Sequence, residues 1–288
     1  MSRQLQTLLV LGRVSCLPTI WSNCVAGWWL GGGGNFGRLT LLLIGITALY
    51  TGGAILNDAF DADFDRQHRP NRPIPGGVMT RKAVWVWSFG FLTAGALALA
   101  FISKTTGILA LILLVCIIVY NAGHKAFNAS PWLMGLCRFW VYVIAGSTGA
   151  GGLNGGPIWC GLALLFYVAG LEFLAQRGNV RGRVPWWTLL LLAVPVVLAM
   201  FMNSDRARNA AALISLVLVL WVARSLRPVL FDTELNVSRV VAGLVAGIVL
   251  VDWLAVAPLP GIPPMLSGTV FIPLFLGVLL LQRYAPSR

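Results

Sequence analysis

Leu39-Thr-Leu-Leu-Leu-Ile-Gly-Ile-Thr-Ala-Leu-Tyr-Thr-Gly-Gly-Ala-Ile-Leu56 carries no charge and runs directly into Asn57-Asp-Ala-Phe-Asp-Ala-Asp-Phe-Asp65. An uncharged apolar stretch of this length is what a helix needs to cross a hydrocarbon core of about 30 Å. Comparable runs follow at 84–102, 107–120, 162–174, 189–202, 211–223, 240–257 and 266–281. Two less uniform segments, 5–30 and 132–149, bring the reading to ten spans. A chain that is 58% apolar and 10% charged, with a mean hydropathy of +0.83, is a polytopic membrane protein and not a soluble domain. The expected fold is all-α: a transmembrane bundle of nine to ten helices around a central cavity that opens to the cytoplasmic side. No soluble domain can be cut out, so residues 1–288 form one unit.

Charge placement orients the bundle. With the N-terminus inside, one set of loops carries Arg3, Arg66, Arg69, Arg72, Arg81, Lys82, Lys125, Arg177, Arg181, Arg183, Arg224, Arg227, Arg239, Arg283 and Arg288. The opposite loops carry Arg38, Lys104, Arg206 and Arg208 alone. This asymmetry places the chemistry on the cytoplasmic face of an integral membrane protein, read as a bacterial inner-membrane one. It also accounts for the net charge of +12 without nucleic acid. The glycine run 31–34 reads as a turn that closes the first span. That span is long, lacks a small-residue cleavage site and carries Trp21, Trp28 and Trp29, so it reads as retained. The five cysteines are scattered through apolar segments without a CxxC pair, which argues against a disulfide framework or a zinc site.

Four of the nine acidic residues fall between positions 58 and 65. On a continuing helix, Asn57, Asp61 and Asp65 recur every four residues. Asp58 shares their face, while Asp63 falls elsewhere. Carboxylates this dense repel one another, and a hard divalent cation is the obvious countercharge. Oxygen ligands from Asn57, Asp58, Asp61 and Asp65 suit Mg²⁺, with phosphate oxygens completing its shell. The basic loop from Arg66 can close over the same phosphates. An EF-hand is excluded, because Arg66 and Arg72 stand where such a loop needs Gly and Glu. A plain solvated membrane exit is the competing reading.

Asn57-Asp58-x-x-Asp61-x-x-x-Asp65, followed by Asn71-Arg72-Pro73-Ile74-Pro75-x-Gly77, resembles the first signature of the UbiA superfamily of intramembrane prenyltransferases. The resemblance implies a nine-helix fold around a cavity and transfer of an isoprenoid from its diphosphate to an acceptor. It assigns Asn57, Asp58, Asp61 and Asp65 to Mg²⁺ and makes Asp58, Asp61 and Asp65 catalytic. Arg13, Pro18, Asn23 and Gly27 are similar to the family's opening helix. Tyr120-Asn-Ala-Gly-His124-Lys125 is similar to its tyrosine-to-lysine spacing, with Lys125 one place late. Diphosphate binding is therefore expected from Asn57, Arg66, Arg72, Lys125 and Arg177. Cavity lining is expected from Arg13, Asn23, Tyr120, Arg138 and Glu172.

The chain departs from the family at its second acidic motif. Glu172 is the one acid there, Gln176 takes the partner place, and Arg177, Arg181 and Arg183 follow. Three accounts stay open. Glu172, Gln176 and Asn179 act as weaker ligands; arginines bind the diphosphate in place of a second metal; or transfer has been lost, as in divergent members such as EboC-like proteins. For Arg13 and Arg138 the alternative is snorkelling toward the interface, and for Glu172 a buried pair. Asp252 reads as an interfacial or packing residue of the ninth span, and Trp85, Trp87, Trp186 and Trp187 as interface anchors.

The expected partners are a prenyl diphosphate, a hydrophobic acceptor (aromatic or lipid-like) and membrane lipid, with no obligate protein partner. Phe60 and Phe64, which interleave with the acids, either stabilise a developing cation or simply pack. The CDP-alcohol phosphotransferases fail as an alternative, because Asp58 is followed by Ala59 where Gly is needed. An isoprenoid or lipid carrier on the same scaffold is the remaining rival.

Overall fold

The computed structural model describes residues 11–70, 72–123, 129–176, 185–203, 205–231 and 237–284. Among them are ten α-helices, one 3-10 turn (Val14–Cys16) and no strand. The helices are α1 (Leu17–Leu30), α2 (Phe36–His68), α3 (Arg81–Ala100), α4 (Lys104–Gly123) and α5 (Ser130–Thr148). They continue with α6 (Gly155–Gln176), α7 (Trp186–Met202), α8 (Asp205–Phe231), α9 (Val237–Val256) and α10 (Pro264–Tyr284). In hydrocarbon every backbone N–H and C=O must find an internal partner, and the helix supplies one for each. Seven of the helices, α2, α3, α4, α6, α8, α9 and α10, are long and apolar enough to cross a membrane. The chain is an integral, multi-pass membrane protein.

The spans start and stop where local chemistry directs. Asn35 caps α2 by accepting from the N–H groups of Gly37 and Arg38, and Thr80 caps α3 through Ala83 N–H. Gly32, Gly33 and Gly34, at φ of 92°, 63° and 112°, reverse the chain after α1 in a region closed to most other residues. The reversal lies against the α5–α6 loop: Ala150 N–H donates to Gly33 O at 2.7 Å and Gly151 N–H to Gly31 O at 2.8 Å. Asn154 adds a side-chain bond to Leu30 O at 3.1 Å.

Close helix contact depends on missing side chains. A Cβ on Gly95 of α3 would sit 2.7 Å from Gly45 O of α2, and one on Gly52 2.9 Å from the Leu92 side chain. Ser88 Oγ donates to Gly52 O at 2.9 Å across the same seam. The apolar interior has two main parts. One joins α1 to α2–α5, around Ile20, Leu42, Leu49, Leu92 and Ile144. The other gathers α6–α10 around Tyr167, Leu171, Leu244, Ile248 and Phe271. Helix α9 is the most enclosed span, with 67% of its apolar window buried against 22% for α10.

The described part of the opening segment is interrupted: Leu11 is helical, Arg13 then adopts φ 47°, ψ 50°, and a 3-10 turn leads into α1 at Leu17. At 33 residues, α2 is about 50 Å long, so its C-terminal turns project past a core of about 30 Å. Those turns carry the acidic residues.

Candidate active site

The end of α2 presents the acids as two faces. Asn57, Asp58 and Asp65 are buried, and Asp61 is half-buried beside them. Asp63 points away: its side chain is 66% exposed, and it meets Arg81 at 3.0 Å and Arg66 at 3.6 Å. Arg66, expected over the diphosphate, is thus paired at the surface and stands apart from the stripe. The α2–α3 loop folds back toward the buried face. Arg72 Nη1 reaches Asp58 Oδ1 at 2.5 Å, and Arg69 Nη1 lies 3.9 Å from Asp65 Oδ1. The loop is internally braced, with Gly76 N–H donating to Arg72 O and Val78 N–H to Pro73 O, and it turns through Gly77 at φ 72°.

These residues suit a hard cation as one side of its shell. Asp65 Oδ1 is buried and accepts no hydrogen bond; Arg69, at 3.9 Å, compensates its charge only at a distance and leaves room for a closer cation. Among the described residues, no three His, Cys, Asp or Glu side chains close around a single point. The stripe is therefore an open row of oxygens that leaves the opposite side to other ligands, as Mg²⁺ prefers. Asp58 would have to exchange its arginine partner to join it.

Next to the stripe lies a cavity of about 150 Å³, bounded by α1, α2, α4, α5, α6 and α9. Its walls are mainly apolar, with Ile46, Leu49, Leu113, Val168 and Ile248 among them. Arg13, Asn57, Tyr120, Arg138 and Glu172 supply its polar points. Arg13 is the one non-glycine described residue with positive φ. Strain of this kind persists only where surroundings impose it, and here Arg13 Nη2 donates to Asn57 Oδ1 at 2.7 Å. The turn before α1 and the first residue of the acidic row are thereby tied together.

Arg138 is also held in place and does not snorkel. It is buried on α5, donating through Nη1 to Asn23 Oδ1 at 2.7 Å and through Nη2 to Thr19 Oγ1 at 3.1 Å. Asn23, expected on the cavity wall, stands behind that wall and bonds Arg138 on one side and Asp252 on the other. Glu172 faces the cavity, but its helical partner Gln176 does not join it. Gln176 Nε2 donates to Ser130 Oγ at 2.6 Å, at the start of α5. Lys125 and Arg177, with His124, Asn179, Arg181 and Arg183, lie outside the described residues.

Of the two readings given for Asp252, interfacial or packing, the second fits: it is fully buried. Sequence reasoning missed its partners, Ser22, Asn23 and Tyr142. The available signal was a single carboxylate inside an apolar span, which is expensive in a membrane and marks function by default. Trp87, Trp186 and Trp187 are exposed, as interface anchors would be. Trp85 instead packs edge-on against Phe60 at 5.0 Å, and Phe64 stacks on His68 at 4.2 Å. Phe60 is thus packed against Trp85, whereas Phe64 remains 42% exposed. All five cysteines are free.

Comparison with known proteins adds three findings. The profile of the UbiA prenyltransferase family matches residues 15–288. Digeranylgeranylglyceryl phosphate synthase of Methanothrix thermoacetophila is 36% identical over 86 residues, 30% of this chain and 32% of that protein, so the match spans about a third of the relative. Among solved structures, one described as digeranylgeranylglyceryl phosphate synthase in membranes superposes with a TM-score of 0.65 at 18% identity, covering 89% of this chain and 99% of the other. A UbiA homologue from Archaeoglobus fulgidus, bound to GPP and Mg²⁺, superposes with a TM-score of 0.53 at 15% identity over 97% and 98% of the two chains.

Proposed function

Because the chain belongs to the UbiA prenyltransferase family, we propose that it transfers an isoprenoid chain from a prenyl diphosphate to a hydrophobic acceptor inside the membrane. The observation that carries this reading is the row Asn57, Asp58, Asp61 and Asp65 running into an apolar cavity whose polar points include two guanidinium groups. Asn57, Asp58, Asp61 and Asp65 would hold Mg²⁺, which when bound neutralises charge gathering on the departing diphosphate. Arg72 and Arg13 are placed to donate to the same oxygens from the loop and from α1. Lys125 and Arg177 belong to this set by their sequence positions.

Transfer proceeds by ionisation. The C1–O bond breaks with its electron pair leaving on the diphosphate, and C1 becomes an allylic cation. The acceptor then forms a bond to C1 and gives up a proton. The cavity walls keep water from C1, and Tyr120 and Tyr50 line the chamber where positive charge develops. By its name, the archaeal relative produces an isoprenoid glyceryl phosphate, so we favour a lipid-like acceptor over an aromatic one. The charge asymmetry of the loops supports a cytoplasmic position for the acidic row, and a bacterial inner membrane is the setting we propose for it.

The carrier reading draws support from Gln176, whose amide is committed to Ser130 and not to a second acidic pair. One assay separates the two. Purified protein is offered a panel of prenyl diphosphates with and without Mg²⁺, and pyrophosphate release is followed. Mg²⁺-dependent release that Asp61→Ala abolishes supports transfer. Release that survives Asp61→Ala overturns the assigned site, and binding without release selects the carrier.

A further inference from the structure

We propose that Asp252 positions Arg138 for a phosphoryl oxygen of the substrate diphosphate, acting through Asn23 from behind the cavity wall. The inference rests on the cavity being the site of the prenyl diphosphate. Two helices converge on Asp252 of α9. Ser22 Oγ and Asn23 Nδ2 of α1 donate to Oδ2, the latter at 2.7 Å, and Tyr142 OH of α5 donates to Oδ1 at 2.5 Å. Asn23 passes the connection on, its Oδ1 accepting from Arg138 Nη1 at 2.7 Å. Thr19 fixes the other arm: its Oγ1 accepts from Arg138 Nη2 at 3.1 Å and donates to Cys16 O at 2.7 Å. Ser22, Asn23, Thr19, Tyr142 and Asp252 are all fully buried.

This arrangement answers a physical difficulty. Arg138 lies eight residues inside α5, about 12 Å from the helix end. A guanidinium at that depth needs a countercharge. A direct carboxylate pair would consume its donors bidentately and leave little for a ligand. With one amide interposed, Asp252 balances the charge while two of the five N–H donors are used, by Asn23 and Thr19. The side chain still lines the cavity. An arginine frozen in this way loses little rotamer entropy when a ligand arrives, which is the advantage of preorganisation.

The charged cavity-lining residues point to an anionic ligand. They are Arg13, Arg138 and Glu172, two cations to one anion, and Arg13 is already bonded to the first member of the acidic row. A diphosphate reaching from the row toward Arg138 meets guanidinium donors at both places.

The test titrates the detergent-solubilised full chain with inorganic pyrophosphate in Mg²⁺ buffer, by calorimetry, with unfolding midpoints measured in parallel. Asp252→Asn and Arg138→Gln should each weaken pyrophosphate binding about tenfold, as loss of one charge-assisted hydrogen bond does. The double variant should bind no more weakly than Arg138→Gln alone, because Asp252 acts through Arg138. Asn23→Ala cuts the connection while leaving Asp252 its bonds to Ser22 and Tyr142. It should behave like Asp252→Asn and keeps the test open if that variant does not fold. Additive losses of about a hundredfold, or unchanged binding in Asp252→Asn and Asn23→Ala, overturn the proposal, since a purely structural carboxylate moves the midpoint alone. A parent chain that does not bind pyrophosphate overturns the assignment of Arg138 to the diphosphate. A parent that binds pyrophosphate but releases none from any prenyl diphosphate removes the transfer reading and still decides the relay.

Discussion

Replacing Arg72 with alanine is the sharpest test of how the acidic row is held. The Asp58 side chain is 4% exposed and its partner Arg72 28% exposed, joined at 2.5 Å. Breaking a fully buried pair by removing one member costs about 3–5 kcal/mol, because a charge is left without compensation. Here the arginine is partly in water and Asp58 can recruit a water or a proton. The expected loss for Arg72→Ala is therefore about 2–3 kcal/mol of unfolding free energy. Changing Asp58→Asn as well removes the orphaned charge, so the double variant should fall only about 1 kcal/mol below the parent. Mg²⁺ should rescue the single variant preferentially, since Asp58 no longer has to give up an arginine. At ten times its dissociation constant, a ligand of the folded state adds about 1.4 kcal/mol. The assay is denaturant unfolding in detergent, with chelator or with Mg²⁺. If Arg72→Ala unfolds within about 0.5 kcal/mol of the parent under both conditions, the loop does not clamp Asp58 and the electrostatic account of the row is wrong.

Two further outcomes test the packing that holds the site. Gly31→Ala would place a Cβ 2.2 Å from Gly146 O and 2.9 Å from Gly146 Cα. The unfolding free energy should drop by about 1–3 kcal/mol, as overpacking against backbone does, whereas Gly90→Ala on α3, with nothing within 4 Å, should leave it unchanged or raise it. Tyr167→Phe deletes the buried bond from Tyr167 OH to Leu244 O, 3.0 Å long between α6 and α9. It should cost about 1 kcal/mol in the same unfolding assay.

Much of this architecture was legible because membrane helices announce themselves. Uncharged runs such as 39–56 must be helical in lipid, and an oxygen-bearing side chain every fourth residue, at Asn57, Asp61 and Asp65, can only share one face. The separation of Asp63 from that face followed from the same period. What could not be read depended on closure between distant segments. Asp252 meets Ser22 from 230 positions away and Tyr142 from 110, and no local pattern encodes either meeting. Asn23 looked like a wall residue because nothing in α1 says which of its polar side chains faces inward. The pairing of Arg72 with Asp58, fourteen residues apart, depends on a loop whose course is set by Gly77 and its own backbone bonds. The break between Leu11 and α1 came from the αL turn at Arg13, which a hydropathy profile does not register.

The shared main-chain bonds between residues 31–33 and 150–151 have a mechanical consequence. Two rods pinned at one tip could still splay at the other, but Thr19, in the first turn of α1, and Asn23 are also bonded to Arg138 of α5, so the pair is fastened toward both ends and a force on either rod is carried to the other.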